Sequence, residues 1–188
     1  SCQDNASCDD GGGTVAARCQ CDAGYGRLSS DPDRCVLGVP SGAGALAITE
    51  VMIDPMHAST ISAGQYVEVV NTSDGTIFIS DVVFFVDNFT QDATYSVSLP
   101  TVLPPQGRFV VGGSGDSANN GGYTAQGVFP GMPTLQRAGG IIELRLQADD
   151  TLLDAVHWDG SYNDAYGAAL TVSPAIADGE LTTRNDSP

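Results

Sequence analysis

Two short segments near the middle of the chain constrain the fold more than any other feature of the sequence. Residues 48–55 read Ile-Thr-Glu-Val-Met-Ile-Asp-Pro, and residues 65–71 read Gln-Tyr-Val-Glu-Val-Val-Asn. Both are rich in β-branched residues; Asp-Pro ends the first, and Thr-Ser-Asp-Gly, which favours a turn, follows the second. This pattern predicts two neighbouring strands of an antiparallel sheet.

The same two segments resemble the start of the lamin tail domain family, whose first strands read approximately I-x-E-V-M-x-D-P and E-x-V-E-L-x-N. Residues 103–111 resemble the turn and strand L-x-P-G-G-x-x-V-L of that family. Asp154, Val156 and Trp158 stand where the family has D-x-V-x-Y. The resemblance implies an all-β fold, namely an immunoglobulin-like β-sandwich of about seven to nine strands.

All five cysteines lie in the first 35 residues of the chain. Cysteines crowded into a segment too short for a core of its own indicate disulfides, and hence an oxidising, extracytoplasmic location. Their spacing is Cys2-x5-Cys8-x10-Cys19-x-Cys21-x13-Cys35, with Gly-Tyr-Gly at residues 24–26. This pattern resembles an epidermal growth factor (EGF)-like module that lacks the first cysteine of the family.

The EGF-like resemblance implies bridges between Cys2 and Cys19 and between Cys21 and Cys35. It also implies that Cys8 pairs with a cysteine upstream of Ser1, so we expect the sequence to be a fragment of a longer chain. A free Cys8 thiol or an intermolecular bridge is the alternative. A zinc site is not expected, because no histidine lies in this segment and the spacing is not C-x-x-C.

These patterns divide the chain into four predicted parts. Residues 1–36 form the EGF-like module, and residues 37–47 form a short linker of small, uncharged residues. Residues 48–160 form the lamin-tail-like β-sandwich. Residues 161–188 are a polar tail that we expect to be partly ordered, with a short strand near residues 168–172.

The charge of the chain restricts its partners. It carries 23 acidic residues against seven basic ones, for a formal net charge of -16. A surface this acidic repels phosphate backbones, so no nucleic-acid partner is expected. No apolar run approaches the about 18 residues of a membrane span. We therefore predict an extracellular or cell-surface protein whose partner is another protein or a further copy of itself.

No arrangement of residues in the sequence indicates catalysis or a cofactor. There is no G-x-S-x-G motif, and the Gly-rich residues 112–122 lack the lysine and the following helix of a phosphate-binding loop. The spacing of His57 and His157 does not indicate a metal site. The acidic turn at residues 159–164 falls short of a calcium-loop pattern, although Ca²⁺ binding stays open. We predict a non-enzymatic protein.

Apolar residues on both faces of residues 76–87 indicate a contact surface. If a bulge near residues 80–81 absorbs a change of parity, the core-facing set is Ile77, Ile79, Val82, Phe84 and Val86. The outward set is then Phe78, Val83 and Phe85. These three either pack beneath another part of the chain or form a surface for another chain. The predicted interface combines them with the linker residues Val36, Leu37 and Val39.

Four N-x-S/T sequons mark candidate glycosylation sites, at Asn5, Asn71, Asn88 and Asn185. In a eukaryotic secreted protein they would be acceptors of N-linked glycans. In a bacterial protein they would be chance matches in a surface rich in Ser, Thr and Asn.

The first functional hypothesis is an extracellular structural or adhesive protein that acts through protein–protein contacts. Its most specific version is the subunit of a self-assembling filament or surface layer, because a head-to-tail contact that does not close gives a filament. One alternative is a pair of accessory modules of a larger secreted enzyme. Another is a Ca²⁺- or glycan-dependent adhesin.

Overall fold

Strands dominate the computed structural model of this chain. It describes residues 6–9, 18–21, 25–28, 31–37, 43–79, 82–97, 101–147, 150–159 and 170–171. Within these ranges there are fifteen strands and two helices of four residues each. The all-β prediction is confirmed.

The described elements are given in chain order. The strands are β1 (Ala6–Asp9), β2 (Arg18–Cys21), β3 (Tyr25–Leu28), β4 (Asp31–Leu37), β5 (Leu46–Met52), β6 (Tyr66–Asn71), β7 (Ile77–Phe78), β8 (Val82–Asp87), β9 (Asp92–Ser96), β10 (Val102–Leu103), β11 (Arg108–Gly112), β12 (Gly127–Val128), β13 (Gly139–Leu146), β14 (Leu152–Asp159) and β15 (Leu170–Thr171). The helices are α1 (Ile61–Gly64) and α2 (Ser117–Asn120).

Two sheets make up the main body of the described structure. The larger has five strands in the order β12-β11-β6-β5-β15, and the smaller has four in the order β14-β13-β8-β9. β5 and β6 pair in antiparallel fashion, which confirms the prediction for residues 48–71. The short strand predicted near residues 168–172 is present as β15, paired with β5.

Both sheets contribute to a single hydrophobic core. Its members from the five-stranded sheet include Val51, Val67, Val69 and Phe109. Its members from the four-stranded sheet include Phe84, Val86, Ile142, Leu144 and Trp158. Since full burial of such a side chain contributes about 1.5–3 kcal/mol, this cluster is the main source of stability.

The segment predicted as one bulged strand at residues 76–87 is divided between two sheets. β7 pairs with β10 in a two-stranded ribbon, whereas β8 pairs with β9 and β13. The prediction of a single strand is therefore wrong, because the chain changes partner between β7 and β8; residues 80–81 lie outside the described residues. The predicted core-facing set is confirmed, since all five side chains are buried: Ile77, Ile79, Val82, Phe84 and Val86.

The N-terminal strands form two antiparallel pairs. β1 pairs with β2, where Cys8 lies opposite Cys19, and β3 pairs with β4, where Arg27 lies opposite Cys35. Cys2 lies outside the described residues, so the bridges implied by the EGF-like resemblance stay a prediction. In the ranges that the structure describes, no helix has the length and apolar character needed to cross a membrane.

Candidate protein-contact face

The outer side of the four-stranded sheet carries a set of apolar and aromatic side chains. Buried residues alternate along β8 and β13, so the residues between them lie on the opposite side of the sheet. These include Val83 and Phe85 on β8, Ile141 on β13, and His157, which lies opposite Ile141 on β14. Together with Phe89, in the turn after β8, they are called the contact face.

Phe89 is the most exposed member of the contact face. Its side chain is 56% exposed, and its backbone has a φ of 66°. Its ring meets the ring of His157 edge-on, with the centroids 6.0 Å apart. A left-handed backbone costs a residue with a Cβ about 1–2 kcal/mol, so the surrounding structure must hold Phe89 in place.

Side chains of the β8–β9 turn supply that support. The backbone N–H of Phe89 donates to Oδ1 of Asp87 at 2.6 Å. Oδ1 of Asn88 accepts from the backbone N–H groups of Thr90 and Gln91, at 3.0 and 2.8 Å. Asp and Asn commonly stabilise turns in this way. Phe89 is thus held in an exposed position.

A buried junction anchors this turn to the body of the protein. Three consecutive backbone carbonyls, at residues 134–136, each accept a hydrogen bond from a buried side chain. The pairs are Asn88 Nδ2 with Thr134 O at 2.9 Å, Gln65 Nε2 with Leu135 O at 2.7 Å, and Trp158 Nε1 with Gln136 O at 2.7 Å. The junction therefore ties the Phe89 turn to β6 and β14.

The surroundings of the contact face are acidic. Arg145, on the same side of β13, bonds Glu143 at 2.7 Å and Asp150 at 2.9 Å. Arg108 and Arg137, the other arginines whose side chains the structure describes, pair with Glu68 and Asp54. These cations are already neutralised, so the excess acids set the sign of the surface potential.

The structure brings together only part of the predicted interface. Val83 and Phe85 share the outer side of β8, and both are half-buried. Phe78 is also half-buried, but it lies in the β7–β10 ribbon opposite Val102, in a different sheet. Val36 and Leu37 belong to β4, and Val39 lies outside the described residues. Phe78 is therefore separated from Val83 and Phe85, and an interface that also includes Val36, Leu37 and Val39 stays a prediction.

Phe89 was missed by the sequence analysis. The signal was present as Asp-Asn immediately before Phe-Thr at residues 87–90, between two predicted strands. That pattern favours a turn stabilised by Asp and Asn side chains, with an aromatic residue at its tip. Asn88 was instead interpreted as a glycosylation acceptor.

Two of the four candidate glycosylation sites are incompatible with the folded structure. Asn71 is fully buried, and its Nδ2 donates to the carbonyls of Gly75 and Leu103, at 2.7 and 2.9 Å. Asn88 is 4% exposed, and its Nδ2 belongs to the buried junction. Neither nitrogen has room for a glycan. Asn5 and Asn185 lie outside the described residues.

The outer side of the five-stranded sheet carries a polar network instead of an apolar surface. The hydroxyl of Tyr66 donates to Glu50, and Oγ1 of Thr49 donates to Oε1 of Glu68 at 2.8 Å. Burial, and then the hydrogen bond to Glu50, raise the pKa of Tyr66 well above its ordinary value. Burial also raises the pKa of Tyr123, whose ring centroid lies 4.6 Å from that of Tyr66. The side chains of this network contact one another, which indicates that the network stabilises the fold.

The raised pKa of Tyr66 predicts a loss of stability in alkali. The unfolded chain releases the phenolic proton near pH ~10, whereas the folded protein holds it to higher pH. The contribution of Tyr66 is therefore fully present below pH ~10 and is lost as the pH rises beyond it. We expect the free energy of unfolding to fall above that pH, and to fall less steeply in Tyr66→Phe. Urea titrations at a series of alkaline pH values measure this; identical slopes in the two proteins would contradict it.

Comparison with protein-family models and with curated proteins finds no match for this chain. Among the described residues, no group of three or more His, Cys, Asp or Glu side chains is placed to hold a metal ion. The contact face is the candidate functional site of the described residues.

Proposed function

We propose that the protein is a non-enzymatic extracellular structural or adhesive protein that binds another protein through the contact face. In this proposal an EGF-like module precedes an immunoglobulin-like sandwich of the lamin-tail kind. The observation that carries the proposal is Phe89, a large aromatic residue that is 56% exposed and yet held in one backbone conformation.

A side chain that is already held in place lowers the entropy cost of binding. Binding energy concentrates in aromatic anchors that are surrounded by less important contacts. An anchor already fixed by Asp87 and Asn88 loses little conformational freedom when it binds. Phe85 and Ile141 extend the apolar surface away from Phe89 along the sheet. Both are half-buried, so they would add area around the anchor.

Self-assembly is the most specific version of this proposal. Two copies each carry a formal net charge of -16 and therefore repel one another. Salt weakens that repulsion, because the Debye length is about 8 Å at physiological ionic strength. If the partner is a second copy, association through the apolar contact face should strengthen as salt is added.

The contact face is tested by the Phe85→Asp and Phe89→Asp variants. We expect the oxidised wild-type protein to form assemblies in high salt, and each substitution to abolish them, because a buried unpaired carboxylate is strongly unfavourable. Light scattering gives the mass, and negative-stain microscopy shows whether the assemblies are ordered. Val102→Asp is the matched control, since Val102 is 53% exposed and lies in the β7–β10 ribbon.

Two outcomes would count against the self-assembly version. A protein that stays monomeric at high concentration and in every salt condition would exclude a second copy as the partner. Assemblies that persist in Phe85→Asp and Phe89→Asp, but are lost in Val102→Asp, would place the contact elsewhere on the molecule.

A further inference from the structure

One edge of the four-stranded sheet is open in the described part of the chain. β9 (Asp92–Ser96) pairs with β8 along one side, and no described strand pairs with its other side. An open edge presents unpaired backbone N–H and C=O groups, which can bind an extended segment of another chain.

The hydrogen-bond pattern shows which groups point outward. The backbone N–H of Asn88 donates to the carbonyl of Gln91 at 3.1 Å, next to the turn. Hydrogen-bonded and non-hydrogen-bonded pairs alternate along an antiparallel ladder. The register pairs Asp87 with Asp92 and Phe85 with Thr94. The backbone groups of Asp92, Thr94 and Ser96 therefore point away from β8.

β9 itself contains no lysine, proline or bulge that would discourage strand addition. Natural edges are commonly guarded by lysine, proline or a bulge. β9 reads Asp-Ala-Thr-Tyr-Ser, and its register with β8 is regular throughout. Tyr95 holds the strand in place, because its ring stacks on that of Phe129 with the centroids 5.3 Å apart. Among the described strands, none pairs with this edge, and Tyr95 anchors it to the body of the protein.

The charge at the edge favours a basic partner. Asp92 is exposed and lies directly opposite Asp87, so two carboxylates share one end of the β8–β9 pair. Arg145, on the outer side of β13, is paired with Glu143 and Asp150. A second copy would add its own acids, whereas a cationic side chain next to Asp92 would be attracted.

We propose that β9 binds, by strand addition, an extended segment of another protein that carries lysine or arginine near Asp92. The proposal rests on the proposed function, a protein contact, and names the kind of partner. Backbone hydrogen bonds to Asp92, Thr94 and Ser96 supply the geometry. The acidic end of the β8–β9 pair favours a positively charged side chain in the bound segment.

The test uses three labelled peptides and fluorescence anisotropy. The first alternates threonine and valine between terminal lysines, the second has glutamate in place of lysine, and the third is the lysine peptide N-methylated at alternate residues. We expect the lysine peptide to bind, more tightly at low than at physiological ionic strength. The other two should bind at least about tenfold more weakly, because one loses charge attraction and the other loses hydrogen bonds.

Protein variants locate the binding to β9. Thr94→Pro removes an outward N–H without breaking a bond to β8, since proline is tolerated at such edge positions. We expect it to weaken binding about tenfold, while Thr94→Val leaves binding unchanged. Ser96→Pro, at the end of the strand, is a second variant in case Thr94→Pro fails to fold. Asp92→Asn should weaken binding and reduce its salt dependence.

Each contrary outcome overturns this proposal. Absence of binding to the lysine peptide would do so, as would equal binding by Thr94→Pro and Thr94→Val. A wild-type dimer that Thr94→Pro disrupts, without peptide binding, would show that a second copy occupies the edge. Phe89→Asp keeps the β9 backbone, so peptide binding by that variant separates failure of the contact face from failure of the edge.

Discussion

Gly140→Ala is expected to lower the free energy of unfolding by about 3 kcal/mol, because it overpacks the core at a rigid neighbour. A Cβ at this position would lie 2.5 Å from Cη2 of Trp158 and closer still to Cζ2. The indole is 1% exposed and its Nε1 donates to the carbonyl of Gln136, so the ring cannot swing away freely. The same Cβ would also lie only 3.1 Å from the carbonyl oxygen of Asp87, which is a tight contact with backbone.

Urea unfolding followed by fluorescence measures this effect. The chain has a single tryptophan, so the signal reports on the site of the substitution. Gly75→Ala is the matched control, because nothing lies within 4 Å of a Cβ built there. We expect the control to change stability by less than about 0.5 kcal/mol.

The same substitution connects the core to the contact face. Displacing Trp158 would disturb the carbonyl of Gln136 and with it the buried junction that holds Asn88 and the Phe89 turn. We therefore expect a shift in the emission of Trp158 and weaker assembly at a salt concentration where the wild type assembles. Wild-type stability in Gly140→Ala would mean that the indole has an alternative position, and the junction would then not depend on it.

Gln65→Leu is expected to destabilise the protein by at least about 3 kcal/mol, since unpaired buried polar groups cost about 1–3 kcal/mol each. Nε2 of Gln65 donates to the carbonyls of Ile53 and Leu135, at 2.6 and 2.7 Å. Its Oε1 accepts from the N–H of Leu135 at 2.9 Å. Leucine has a similar size but satisfies none of these three groups.

The matched control is the same change at an exposed glutamine. Gln91 lies in the β8–β9 turn, where its backbone N–H bonds Asn88. Gln91→Leu keeps that bond, so we expect a change of less than about 0.5 kcal/mol. Urea titrations of the two variants give the comparison. Equal midpoints would indicate that water replaces the amide of Gln65, and the junction would then be less important than its geometry implies.

The local pattern of the sequence was sufficient for the β5–β6 pair and for the inward-facing residues of the segment at 77–86. β-branched residues and turn formers predicted β5 and β6 as antiparallel neighbours, and the register confirms this pairing. Alternation along β8 predicted which side chains enter the core. The inward face can be predicted because a strand places successive side chains on opposite faces, whatever its neighbours are.

The arrangement of the candidate site depended on contacts between distant parts of the chain. Gln65 and Leu135 are 70 residues apart in sequence, and Asn88 and Thr134 are 46 apart. No local pattern encodes such pairs. For the same reason the sequence placed Phe78 with Phe85, whereas the structure assigns them to different sheets.

By itself, the sequence determined the all-β character of the chain, its acidic charge and five of the residues that form the core. Tertiary structure alone decided how the other strands are divided between the sheets, that no described strand pairs with the outer side of β9, and that Phe89 is exposed. The physical reason is that hydrophobic alternation is a property of neighbouring residues, whereas hydrogen-bond pairing between strands joins residues that only the fold brings together.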